Sequence, residues 1–147
     1  MTNRDDLIVQ YFEYLVNEYG FRITRKERDP RPSWNAVVVF ESSKIGVQVA
    51  VEMDEVAIHM GDCSDLVYDW FSFSNIMKYY APHIKEVYVP TRKTTETTWD
   101  DVVETQLVRL SGLLREYCEP LLKGENLAKG EIKKIIGEGR ISKWFRT

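Results

Sequence analysis

The stretch NAVVVFESSKIGVQVAVEMDEVAIHMG, residues 35–61, decides the fold. Residues 36–40 are apolar and largely β-branched on both sides, as an inner strand requires. Glu41-Ser42-Ser43-Lys44 reads as a hairpin turn. Val47, Val49 and Val51 then alternate with Gln48, Ala50 and Glu52, the period of a half-buried strand. Met53-Asp54-Glu55 makes the next turn, and Val56, Ile58 and Met60 alternate with Ala57 and His59 up to Gly61-Asp62. Connections this short leave no room for crossovers, so the pairing must be antiparallel and consecutive.

Outward from this core, residues 21–28 also alternate, with Phe21, Ile23 and the stem of Arg25 expected on one face. Pro30 and Pro32 make residues 29–33 a loop. Ahead of the sheet, Leu7, Ile8, Tyr11, Phe12, Leu15, Val16 and Tyr19 draw one apolar stripe along a helix over 4–19. Asn3 or Asp5 can cap it, Gly20 fits its left-handed end, and Phe21 is placed to pack back on the last turn. Behind the sheet the pattern turns helical: one helix within 70–80, stopped by Ala81-Pro82, and a long one within 98–123. Thr98 with Asp101 has capping-box spacing there, and Pro120 should kink or end that helix. A basic segment within 130–145 carries Ile132, Ile135 and Ile136. Val87-Tyr88-Val89 fits a fifth short strand or an extended connection. The fold expected over 1–147 is a single α+β domain: an N-terminal helix, an antiparallel meander of four to five strands, and C-terminal helices packed on it.

A length of 147 residues and 44% apolar content suit one folded domain that needs no disulfide or metal for stability. No apolar run approaches the roughly 20 residues of a membrane span. The N-terminus is polar and leads into a helix without a signal-peptide pattern. Cys63 and Cys118 fall in different elements, and without an export signal two reduced thiols are favoured over a disulfide. These features point to the cytoplasm and away from a membrane.

Reactive chemistry is sparse. His59, Asp62, Cys63 and Asp65 form the densest group of potential metal ligands, but their spacing matches no ligand signature. His59 should face solvent if its strand alternates. Cys63 with His83 and Asp65 could be drawn as a nucleophile, base and orienting acid, yet no nucleophile elbow or oxyanion loop accompanies them. The glycines of the C-terminal segment fit no phosphate loop or dinucleotide fingerprint. No catalytic residue, metal site or cofactor is therefore assigned.

The charges are segregated behind a net −3. Between residues 52 and 69 stand Glu52, Asp54, Glu55, Asp62, Asp65 and Asp69, with no lysine or arginine. Arg22, Arg25, Lys26, Arg28 and Arg31 form one basic patch, and Lys129, Lys133, Lys134, Arg140, Lys143 and Arg146 form another. Segregated charge steers partners. Asp62, Asp65 and Asp69 with Tyr68 and Trp70 make a candidate contact surface for a basic protein, the rings as anchors. Structural use of Trp70 and Phe71 in the core is the commoner role for such rings.

The runs YFEYLVNEYGFRI (11–23), the central 35–61 stretch and LREYCEPLLKG (114–124) resemble a group of small, mostly uncharacterised bacterial α+β proteins. Some of these resemble the immunity proteins of polymorphic toxin systems. The resemblance is one of apolar pattern and of the Tyr19-Gly20-Phe21 helix end, with no functional motif, so it implies partner binding and transfers no site residue. The reading is a non-catalytic protein-binding protein, an immunity-like inhibitor of a basic partner. Two alternatives stand beside it: a small hydrolase or metal-dependent enzyme using His59, Asp62, Cys63 and His83, and nucleic-acid contact through the basic C-terminal segment. The acidic net charge disfavours nucleic acid. A homodimer, the basic tail of one copy on the acidic block of another, is a further arrangement.

Overall fold

Val47, Val49 and Val51, and Val56, Ile58 and Met60, recur at period two along hairpin-linked strands, which gives the sheet one apolar face for helices to cover. The computed structural model describes residues 3–29, 35–62 and 69–124, and of Asp62, Asp69 and Trp70 it describes the backbone. The elements are α1 (Arg4–Asn17), β1 (Arg22–Arg28), β2 (Ala36–Glu41), β3 (Gly46–Glu52), β4 (Glu55–Asp62), β5 (Asp69–Ser72), α2 (Phe73–Tyr80), α3 (Trp99–Tyr117) and α4 (Glu119–Leu122). The five strands pair in chain order, every pair antiparallel. This is the expected α+β meander.

The register gives the sheet two faces. Ala36, Val38, Phe40, Val47, Val49, Val51, Val56, Ile58 and Met60 share one, and all are buried in the core with residues of α1, α2 and α3. The stripe of α1 puts Leu7, Ile8, Phe12 and Leu15 into that core. Gly20 takes φ 73°, which lets the Phe21 N–H donate to Leu15 C=O at 2.9 Å and buries Phe21. The capping box of α3 is formed: Asp101 N–H donates to Thr98 Oγ1 at 3.1 Å, and Thr98 N–H to Asp101 Oδ2 at 2.8 Å. Around Pro120 the helix breaks into α4.

Helices α1 and α3 run side by side in the same direction. Arg4 Nε meets Asp100 Oδ1 at 3.0 Å at their starts, and Arg115 meets Glu18 at 2.6 Å at their ends. Between them the Tyr14 hydroxyl donates to Ser111 C=O at 2.8 Å, with the Arg115 guanidinium 4.9 Å from the Tyr14 ring centre. Burial pushes the Tyr14 hydroxyl pKa well up, so it stays a donor.

Three expectations need correction. Residues 69–72 form the fifth strand and α2 begins only at Phe73, because Met60 and Asp62 of β4 pair with Phe71 and Asp69. Residues 87–89 form no strand; they reach the sheet through a side chain, as described below. Arg25 does not share a face with Ile23: a bulge at Thr24 lets Ile23 pair with Phe40 but Arg25 with Val39. Lys26 thereby turns toward α1 and meets Asp6 at 2.6 Å. The segment 130–145 lies outside the described residues.

Candidate functional site

Strand β4 determines where the acids go. Its hairpin to β3 pairs Glu52 with Glu55, and at its other end Asp62 pairs with Asp69 of β5. The acidic stretch of the sequence is thus two groups, separated by the length of β4, on the order of 20 Å. Like charges directly opposite on paired strands repel and weaken the pair. Both ends of β4 carry such a pair.

At the first end, Met53 is the exposed tip, 67% accessible, with φ 59°. Its N–H donates to Asn35 Oδ1 at 2.7 Å, which ties the turn to the start of β2. At the second end, Asp62 faces Asp69 and Gly61 faces Trp70 along the backbone. Asp65, Tyr68 and Cys63 lie outside the described residues. Of the proposed contact surface, the register sets Asp62 opposite Asp69 at positions of one face, and places Trp70, paired with Gly61, at a position of the other face.

Of the residues of the enzymatic alternative, the two described side chains, His59 and His83, do not converge. His59 is not solvent-facing: it is 6% exposed, on the sheet face opposite the helices, in one row with Val39 and Gln48. Burial pulls its pKa down to about 4, so the imidazole is neutral near pH 7. His83 is exposed on the helix side, its ring 5.4 Å from that of Tyr117 in α3. The sheet lies between the two imidazoles. Cys118 is a free, fully buried thiol with Sγ 3.9 Å from Met77 Sδ, and burial pushes its pKa up to about 12, which makes it inert. Among the described residues no three His, Cys, Asp or Glu side chains gather in a metal-binding group.

Sequence reasoning missed the residues that finish the edge of β4. Strand β5 covers only its second half. Along the first half, the Ile58 N–H donates to the Tyr88 hydroxyl at 3.1 Å, and Val56 N–H donates to Gln106 Oε1 at 3.0 Å. Tyr88 hydroxyl returns a bond to Ile58 C=O at 3.3 Å, and Gln106 Nε2 donates to Asp54 C=O at 2.5 Å. The only sequence signal was a tyrosine in an apolar triplet and a glutamine interrupting a helical stripe.

The class these features define is an α+β protein with helices on one face of an antiparallel meander and acidic pairs at both ends of β4. Compared with known protein families, curated proteins and solved structures, the chain matches none. No helix among the described residues is long and apolar enough to cross a membrane.

Proposed function

We propose that this protein is a non-catalytic binding protein, an immunity-like inhibitor that takes a basic partner protein on the β4–β5 hairpin. The observation that carries the reading is the pairing of Asp62 with Asp69. Asp62 and Asp69 are Cα partners across β4 and β5, and like charges at directly opposite positions weaken a strand pair. A cationic partner relieves that repulsion, so the cost in the free protein becomes binding energy in the complex. Asp65, Tyr68 and Trp70 belong to the same short stretch of sequence, a composition suited to binding a basic partner. His59, buried, and His83, exposed, lie on opposite sides of the sheet, which does not favour a hydrolase built on both.

The test uses three baits in parallel at low salt: the unaltered protein, a variant with Asp62, Asp65 and Asp69 changed to Lys, and one with Glu52, Asp54 and Glu55 changed to Lys. The expected result is one basic protein retained by the first and third baits and lost by the second. Retention by the second bait, or equal loss on both variants, refutes the hairpin as the contact.

A further inference from the structure

The second face of the sheet is buried without a described element to bury it. All three longer helices pack on the other face, with Val38, Phe40, Val49 and Ile58. Yet Val39, Gln48 and His59, one row across β2, β3 and β4, are 5%, 6% and 6% exposed. Val39 stands apart from the core that the helices build. The row beside it, Val37, Ala50 and Ala57, is half-buried and apolar. Glu27, Glu41, Glu52 and Glu55 occur at the rim of this face.

Besides residues 1–2, three stretches of chain lie outside the described residues. Residues 30–34 are tied at both ends by the Asp29 N–H bond to Asn35 C=O, and residues 63–68 by the pairing of Asp62 with Asp69. Both are short, five and six residues, between flanking residues that are paired with each other. The third follows Gly124, which abuts Lys44: a Cβ on Gly124 would run into the Lys44 side chain. Lys44 belongs to the β2–β3 turn, two residues before Gly46, which begins the buried row of β3. The described chain therefore ends beside the β2–β3 turn, at one end of the sheet. Five strands span about 20 Å, and the residues after Gly124 reach farther than that whether helical or extended.

We propose that residues 125–147 of the same chain cover this face, with Ile132, Ile135 and Ile136 over the Val39–Gln48–His59 row. The bases Lys133, Lys134, Arg140 and Lys143 then meet the glutamate rim. The apolar spacing matches the strip, and the charges are complementary. Such a cover makes the sheet the middle layer of three and gives the basic segment an intramolecular role. The inference rests on burial of the second face and is independent of the β4–β5 reading.

The test is zero-length carbodiimide cross-linking of the full chain, as an equal mixture of ¹⁴N- and ¹⁵N-labelled protein, read by mass spectrometry. The Lys26–Asp6 and Lys123–Glu119 pairs, at 2.6 and 2.7 Å, serve as internal controls. The expected products join Lys133, Lys134 or Lys143 to Glu27, Glu41, Glu52 or Glu55 within one isotope. Mixed-isotope products assign the cover to a second copy and overturn the proposal. So do tail links to Glu104 or Glu116 on the helix side, or control links without tail links. A second readout is the His59 titration by NMR in full-length I135D/I136D protein, which should move from about 4 toward the ordinary histidine value. An unchanged titration contradicts the tail as cover.

Discussion

The hydroxyl of Tyr88 accepts from the N–H of Ile58 and donates to its C=O, standing where a neighbouring strand would be. Burial raises its pKa to about 12, so it keeps its proton at any ordinary pH. With Gln106 it closes the half of β4 that β5 leaves open. An open strand edge is a template for pairing with other chains. The far edge of the sheet, β1, is protected differently, by Arg22, Arg25, Lys26, Glu27 and Arg28.

Replacing Tyr88 with Phe keeps the ring and removes both bonds. Two backbone groups of Ile58 then lose their partner, at a cost of about 2 kcal/mol. Urea denaturation should show that loss, and light scattering should show slow association through the freed edge. A stability within 0.5 kcal/mol of the unaltered protein, by the usual mutational scatter, means water replaces the hydroxyl fully.

His59 makes stability depend on acid. Its folded pKa, about 4, lies below the ordinary value of 6.5, so between these the unfolded chain binds a proton that the native protein does not. Stability is complete above pH 6.5 and is lost as the pH falls toward 4. The shift corresponds to roughly 3 kcal/mol. His59→Gln should remove this component: the stability difference between the two proteins should shrink progressively from pH 7 to pH 4. A constant difference across that window contradicts the buried neutral imidazole.

Met53 holds φ 59° in a two-residue turn between Glu52 and Glu55. Asparagine and glycine suit that region; a methionine is strained there. Met53→Asn should stabilise the protein by about 0.5 kcal/mol, read as a shift in the denaturation midpoint at constant slope. Destabilisation instead shows that the methionine side chain contributes packing that outweighs its backbone strain.

How much of this was written in the chain differs by element. The meander was legible because Val47, Val49 and Val51 face Val56, Ile58 and Met60 at strict period two, and the turns between them are short. The end of α1 was legible because Gly20 and Phe21 act locally. Strand β5 was misread as helix because Asp69 to Ser72 owe their conformation to pairing with β4, a tertiary contact that local pattern does not encode. The Thr24 bulge and the role of Tyr88 are invisible for the same reason: each depends on a partner distant in sequence. The alternation of β4 puts His59 on the face away from the helices yet not in solvent, because alternation tells which residues share a face and not what covers it. The acidic stretch read as one surface because sequence proximity hides the length of β4.

The central claim is tested most directly by the affinity of the retained basic partner, measured by calorimetry across a salt series with the unaltered protein and the Asp62, Asp65 and Asp69 reversal. The account predicts a Kd that rises steeply with salt for the unaltered protein, and a loss of at least about tenfold at low salt for the reversal. Equal affinities for the two proteins at low salt, with native circular dichroism in both, would contradict it.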